Sequence, residues 1–157
     1  GKTWASSRWL QAERSGRAIR LRSDVERKRL HGLRSTQASG SGLNTGLYSP
    51  QAHTDTYGHL LERARHLLQG GWSVLVDAAF LRRHEREAFA ALAGNMDCPF
   101  HILATEAPLA VLRERISARQ ARGADASEAT VAVLEQQLGW LEPLDDDERA
   151  QCVPTAG

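Results

Sequence analysis

Three residues at the start of the chain, Gly1, Lys2 and Thr3, have the types that end the phosphate-binding signature G-x-x-x-x-G-K-[ST]. In that signature, backbone N–H groups surround the phosphates, the lysine reaches the terminal phosphates, and the hydroxyl group binds Mg²⁺. The leading glycine and the strand that normally precedes it are not in this sequence. We therefore expect the chain to be a fragment of a longer chain that begins within the motif, or a sequence whose start was set wrongly.

Two aspartates that follow apolar or alternating segments are candidates for the remaining chemistry. Asp77 ends the apolar run 73–76, the pattern of a buried parallel strand, and could hold Mg²⁺ through its water shell. An ordinary strand-end aspartate in a turn is an equally good interpretation. Asp24 follows the alternating segment 18–22 and is the candidate base for an acceptor hydroxyl. Arg27 shares its helix face and could contact an anionic group, although a surface ion pair between Asp24 and Arg27 is the simpler alternative.

Three arginines, Arg115, Arg119 and Arg122, follow one another at helical spacing, opposite the apolar stripe of their own helix. Such a row is usually a solvated helix face. Because a glycine and a polar stretch follow it, the pattern also fits a lid over about residues 113–128 that brings an arginine to a transferring phosphate.

Apolar periodicity and helix or strand end signals predict alternating helices and strands. The predicted strands are 18–22, 73–76, 100–104 and a weak one at 151–153. The predicted helices follow Thr3, Asp24, Pro50, Arg82, Pro108 and Gly123, and a Gly/Ser-rich loop expected to be mobile occupies 35–47. The helix at Pro50 is expected to have Ser49 as its cap, to end at Gly70 and to bury an apolar face that includes Leu60 and Ala64. The helix after Gly123 is expected to bury a stripe formed by Val131, Leu134, Leu138 and Leu141. This alternation favours an α/β fold with a parallel sheet and helices on both faces. In such a fold Asp24 and Asp77 end at the same sheet edge, beside Lys2 and Thr3.

The composition is that of one globular domain, residues 1–157, with a net charge of only +1. That charge gives no global field directed at nucleic acid or membrane, and no apolar run is long enough to span a bilayer. Cys98 and Cys152 lack metal-type spacing and are interpreted as reduced, buried thiols of a cytoplasmic protein. Arg20 and Arg22 are expected on the surface of their strand, with Arg22 next to the candidate site. The acidic run 145–148 is interpreted as a solvated loop or helix start.

The chain resembles the adenylate-kinase-like P-loop kinases in the order of its motifs and elements. That order is G-K-T, a helix, a strand, S-D-x-x-R, an apolar strand ending in V-D-A, and an arginine-bearing lid. It is most similar to the AAA-type ATP-binding domains of the bacterial "predicted kinase" family, often fused to an aminoglycoside-phosphotransferase-like domain. The segments LRSDVERKRLHGL, YSPQAHTDTYGHLLERARHLL, GWSVLVDAAFLRRHERE and GADASEATVAVLEQQLGWLEPL carry this resemblance. It implies a three-layer P-loop NTPase fold with a helical lid, whose first, central strand would precede Gly1.

The resemblance also implies ATP and Mg²⁺ as cofactors, a hydroxyl-bearing acceptor, and a fused or upstream domain as partner. Under this hypothesis ATP is bound by Gly1, Lys2, Thr3 and Arg115, and Mg²⁺ is bound by Thr3 and Asp77. Asp24 is the base and Arg27 contacts the acceptor. The lid arginine is Arg119 or Arg122. The expected activity is transfer of the γ-phosphate to a small molecule or nucleotide. Three alternatives stay open: a nucleotide-binding module without turnover, an inactive fragment, and a polynucleotide-end kinase, which only the arginine-rich first third supports.

Overall fold

The computed structural model describes residues 2–13, 16–37, 39–40, 46–105, 109–122 and 131–154. Two strands, β1 (Ala18–Arg22) and β2 (Ser73–Asp77), are the only named strands in these ranges. The helices are α1 (Lys2–Ala12), α2 (Ser23–Leu30), α3 (Pro50–Gln69), α4 (Arg83–Asn95), α5 (Leu109–Arg122), α6 (Val131–Leu138) and α7 (Asp146–Ala150), with a 3₁₀ turn at Gly46–Tyr48. No helix in the described ranges is long and apolar enough to cross a membrane.

The longest helix, α3, begins and ends at the residues that the sequence predicts. Ser49 accepts a hydrogen bond from the Ala52 N–H at 3.1 Å, and Pro50 occupies the first helical position, where its missing N–H costs nothing. Gly70 is the C-cap. The inward-facing Leu60 and Ala64 are almost fully buried, which confirms the predicted apolar face.

Strands β1 and β2 pair in parallel, with Leu21 opposite Val76. Both side chains pack into the core cluster that contains Tyr57 and Leu60 of α3. Because successive strand residues point to opposite faces, Arg20 points the other way, towards α1. Helices therefore cover both faces of this small parallel sheet, and the predicted α/β class and layering are confirmed.

The predicted strands at 100–104 and 151–153 are wrong in extent, because each is reduced to one residue of a parallel bridge between Ile102 and Cys152. Proline lacks the N–H that a sheet ladder needs, and Pro99 and Pro154 stand just outside the two segments. Within the described residues this bridge is separate from the β1–β2 sheet. Cys98 and Cys152 are free thiols, half-buried rather than buried.

The predicted buried stripe of α6 is also partly wrong. Leu138 and Leu141 are 41% and 53% exposed, and the buried residue of this helix is Val133. Helix α6 ends at Leu138, so the apolar periodicity that was expected to continue to Leu141 does not belong to one helix. Residues 123–130, which hold the predicted break, cap and second half of the lid, lie outside the described residues, as do 38 and 41–45 of the predicted loop.

The acidic run near the end of the chain begins helix α7, as one of its two interpretations expected, but it is not solvated throughout, because Glu148 is buried. Asp145 accepts the Glu148 N–H at 2.8 Å, and Glu148 accepts the Asp145 N–H at 3.0 Å, which completes a capping box. The same Glu148 carboxylate binds Arg86 of α4 through two hydrogen bonds of 2.5 and 3.0 Å. These bonds hold the pKa of Glu148 below its usual value, and they raise that of Arg86. The pair fixes the last part of the chain against α4.

Candidate functional site

The second turn of α1 contacts the carboxyl end of β2. The hydroxyl of Ser6, which is 4% exposed, donates a hydrogen bond of 3.0 Å to Oδ2 of Asp77. Lys2 and Thr3 form the helical turn just before Ser6, so the start of α1 lies at the same sheet edge as Asp77. Gly1 lies outside the described residues, and for Lys2 and Thr3 the description covers the helix and not the side chains.

Asp77 has a second partner that the sequence analysis assigned to the surface. Arg20 Nη2 lies 3.2 Å from Asp77 Oδ2, and Arg20 Nη1 donates to Ser7 Oγ at 3.1 Å. The side chains of Arg20 and Asp77 are 14% and 9% exposed, so the expected surface position of Arg20 is wrong. The physical reason is that α1 covers this face of β1. Both contacts of Asp77 use Oδ2, and neither engages Oδ1.

Asp24 lies in the first turn of α2, directly after β1, as predicted for a helix-start carboxylate. The arginine that binds it is Arg22, through bonds of 3.1 and 2.6 Å from Nε and Nη2. The alternative of an Asp24–Arg27 ion pair is therefore wrong. Arg22 lies next to the candidate site, as expected, because its guanidinium reaches Asp24 from the strand end, and its side chain is 28% exposed. Asp24 Oδ1 also accepts the Val25 N–H at 2.8 Å, and the Asp24 side chain keeps 22% exposure.

Arg27 lies in a cleft between α2, the start of α3 and α6, which we name the Arg27–Arg82 cleft. Its walls include the side chains of Tyr48, His53, Arg82 and Trp140. The Arg27 guanidinium carbon lies 5.6 Å from the centroid of the Tyr48 ring, and that of Arg82 lies 5.1 Å from the Trp140 ring. Both distances are those of cation–π contacts.

A buried polar network supports the floor of this cleft. His53 Nε2 lies 2.6 Å from the carboxylate of Glu85, whose Oε2 accepts the Arg82 N–H at 3.3 Å. Burial alone would raise the pKa of Glu85, but the hydrogen bonds from His53 and Arg82 outweigh it, and the pKa lies below its usual value. Burial, followed by the Glu85 charge, raises the pKa of the neighbouring Tyr57 well above its usual value. The Tyr57 hydroxyl accepts the Phe80 N–H at 3.0 Å.

The predicted lid arginines lie on α5. Arg115 is exposed, and Ile116 on the opposite side is 9% exposed, as the pattern of that helix predicts. For Arg119 and Arg122 the description covers the helix and not the side chains, and the lid beyond Arg122 lies outside the described residues. The structure therefore brings Asp24, Arg27, Asp77 and the α1 start to one end of the molecule's sheet, and it leaves the lid assignment as a prediction.

Sequence reasoning missed four residues of this region: Ser6, Arg20, Arg82 and Trp140. Ser6 lies one helical turn after Thr3, and this spacing could have marked it as a neighbour of the phosphate-binding residues. Arg20 lies two positions before Arg22, and residues two apart in a strand share a face, so the sequence could have placed Arg20 on the same side as Arg22. Nothing local marks Arg82 or Trp140, because they meet only through the packing of distant segments.

The residues at the α1 start and the β2 end fit a magnesium–nucleotide ligand. Mg²⁺ prefers oxygen ligands and is usually held by one or two carboxylates together with substrate phosphates and water. Asp77 supplies a carboxylate here; Ser6 and Arg20 both contact its Oδ2, and neither of these two contacts uses Oδ1. Among the described residues no cluster of three or more acidic, histidine or cysteine side chains could hold a metal without such phosphates. Thr3 and Asp77 would hold Mg²⁺, and Lys2 the phosphates.

Comparison with known proteins gives one match. A family model described as an AAA domain (AAA_33) covers residues 1–144 of the 157. No curated protein and no solved structure matches the chain. The matched range contains every residue of the candidate site described above.

Proposed function

Because this chain belongs to the AAA domain family of P-loop nucleotide-binding proteins, we propose that it is an ATP-dependent phosphotransferase. It would move the γ-phosphate of ATP to a hydroxyl group of a small molecule or nucleotide. The observation that carries the proposal is the Ser6–Asp77 hydrogen bond, because it brings the phosphate-binding end of α1 to the strand end where Asp24 also lies. Phosphoryl transfer needs these parts side by side.

Each residue has a separate task in this proposal. Gly1, Lys2 and Arg115 bind the nucleotide phosphates, and Arg119 or Arg122 neutralises charge on the transferring group. Mg²⁺, when bound by Thr3 and Asp77, supplies charge neutralisation at the β- and γ-phosphates. Ser6 and Arg20 orient the Asp77 carboxylate through Oδ2.

Asp24 is the proposed base. The acceptor oxygen bonds to the γ-phosphorus, the bond to the β,γ-bridging oxygen breaks, ADP leaves, and the acceptor proton passes to the Asp24 carboxylate. Arg22 holds that carboxylate by two hydrogen bonds, which fixes its orientation, and the side chain keeps 22% exposure. Arg27 would contact the acceptor from one helical turn further along α2.

Thermal unfolding with and without Mg·ATP tests nucleotide binding. A ligand that binds only the folded state raises the midpoint, by about 5 to 10 °C for a chain of this size at a hundred times its Kd. We expect this shift in the wild type and in Arg65→Gln, a surface charge change on α3. We expect no shift in Lys2→Gln. No shift in the wild type would contradict the proposal.

A module that binds nucleotide without turnover is the second candidate. The observation in its favour is that both proposed catalytic carboxylates, Asp24 and Asp77, already pair with arginines of β1. A midpoint shift with Mg·ATP, but no ADP formed with any member of a pool of hydroxylated metabolites and oligonucleotides, would favour this candidate over the phosphotransferase.

A further inference from the structure

The lining of the Arg27–Arg82 cleft contains two guanidinium groups and no acidic side chain. Other arginines of the described ranges lie within 4 Å of a carboxylate: Arg20, Arg22, Arg29, Arg63, Arg65, Arg83, Arg86, Arg113 and Arg149. Neither Arg27 nor Arg82 pairs with a carboxylate among the described residues. The Glu85 carboxylate is not part of the lining; it lies 2.6 Å from His53 Nε2 and accepts the backbone N–H of Arg82.

Arg27 also carries an unsatisfied donor. Its Nε is shielded from solvent and has no hydrogen-bond partner among the described residues. A buried donor without a partner costs about 1 to 3 kcal/mol. Such a group in a cleft is a position where a ligand oxygen would restore the missing bond. The Tyr48 ring, 5.6 Å from the guanidinium carbon, makes a cation–π contact with Arg27 and supplies no acceptor oxygen for Nε in that contact.

The opposite wall is fixed by contacts with the last part of the chain. The Glu142 N–H donates to the Leu81 carbonyl at 2.8 Å, and the Glu142 carboxylate accepts the Arg83 N–H. Arg86 donates to the carbonyl oxygens of Phe80 and Pro143 as well as to Glu148. These bonds hold the 80–86 and 140–148 segments together, so that Arg82 and Trp140 face the cleft as one preformed wall.

We propose that the Arg27–Arg82 cleft is the acceptor site and that it selects acceptors carrying an oxyanion, a phosphate or a carboxylate, bound by both arginines. The inference rests on the proposed phosphotransferase and names the chemical class of its acceptor. Arg82 and Trp140 then determine specificity together with Arg27. A hydroxylated molecule without an anionic group leaves two uncompensated guanidinium groups and binds poorly.

Three probes with one carbon skeleton separate the possible ligand groups: glycerol 3-phosphate, glycerate and glycerol. Binding is followed by NMR through the indole N–H signal of Trp140, identified by its loss in Trp140→Phe. The titrations are made with and without a non-hydrolysable ATP analogue and Mg²⁺. We expect one or both anions to shift the Trp140 signal, and glycerol to leave it unchanged. The anion that binds more tightly shows whether the site selects phosphate or carboxylate.

Matched variants locate the bound anion. Arg27→Gln and Arg82→Gln should each weaken anion binding by about 10- to 100-fold, the effect of losing a charged hydrogen bond. Arg65→Gln removes the same charge from the exposed face of α3 and should change nothing. Arg27→Lys and Arg82→Lys keep the charge and should bind better than the glutamine variants, which separates loss of the anion site from loss of folding.

Two outcomes would overturn the inference. One is that neither anion shifts the Trp140 signal, with or without the analogue, in a folded protein. The other is that Arg82→Gln binds the anion as tightly as Arg65→Gln does. Thermal shift measures binding of the ATP analogue independently of the Trp140 signal. Loss of anion binding with the analogue still bound would contradict the acceptor site alone, whereas loss of analogue binding would contradict the proposed phosphotransferase.

Discussion

Ser6 and Asp77 are joined by a hydrogen bond of 3.0 Å although 71 positions separate them in the chain. The bond attaches the second turn of α1 to the carboxyl end of β2. It thereby determines where the residues of the G-K-T motif lie relative to the strand-end carboxylate.

Ser6→Ala should destabilise the fold and weaken Mg·ATP binding. Loss of one buried hydrogen bond costs about 0.5 to 1.5 kcal/mol of unfolding free energy. The remaining Arg20 contact would no longer hold Asp77 in a single orientation, so the midpoint shift caused by Mg·ATP should decrease. Urea unfolding and thermal shift measure the two effects. Ser117→Ala, an exposed serine on α5, should stay within about 0.5 kcal/mol of the wild type. Equal effects of the two changes would remove the role given to Ser6.

Asp24→Asn should abolish phosphoryl transfer while leaving Mg·ATP binding nearly unchanged. A general base contributes about 10²- to 10⁴-fold to such a rate, and asparagine cannot accept the acceptor proton. ADP formation with a pool of hydroxylated acceptors measures the rate, and thermal shift measures nucleotide binding. The matched control is Asp55→Asn, whose carboxylate binds Gln51 on the exposed surface of α3. If the variant lost transfer and binding together, Asp24 would serve Mg²⁺ or the fold instead.

Glu148→Gln should lower stability and flatten its dependence on pH in the acid range. The folded pKa of Glu148 lies below the unfolded one, so the unfolded state binds more protons as the pH falls below about 4.5. The stability that the Arg86 pair provides is therefore complete near neutrality and is lost as the pH falls through the folded pKa. Near pH 7 breaking a buried pair costs about 3 to 5 kcal/mol.

Urea unfolding at a series of pH values between 3 and 7 makes this measurement. Glu62→Gln removes a carboxylate of the exposed Glu62–Arg65 pair and should behave like the wild type. A Glu148 variant with the same acid slope as the wild type would show that the Arg86 pair does not control acid stability.

Tyr57→Phe should cost about 1 to 3 kcal/mol, because the half-buried Phe80 N–H would lose its acceptor while Phe80 stays at a φ of 47°. The chain has two tyrosines, so ultraviolet titration resolves their ionisation. The pKa of Tyr57 is raised in the fold, so the stability linked to it is complete below about pH 10 and is lost as the pH rises above that value. We expect half of the tyrosinate signal to appear only on alkaline unfolding. Ionisation of both rings in the folded protein near pH 10 would disagree with this burial.

The sequence by itself determined the elements whose signals are local. The apolar spacing of α3, its Ser49 cap and Gly70 end, and the strand patterns before Asp24 and Asp77 all depend on neighbours within a few residues. Those signals were enough to predict the α/β class and the sheet edge at which the aspartates lie. The predicted strand around Ile102 was reduced to a single bridge with Cys152, because a strand also needs a pairing partner that the local pattern does not specify.

Only the tertiary structure decided which charged groups meet. Asp24 has Arg22 and Arg27 within three positions, and the choice of Arg22 depends on how the end of β1 turns into α2. Arg20 pairs with Asp77 because α1 covers its strand face, and Arg86 finds Glu148 across 62 positions. The Arg27–Arg82 cleft is formed by separate segments of the chain. Such pairings are set by the packing of whole elements, which residue spacing along the sequence does not encode.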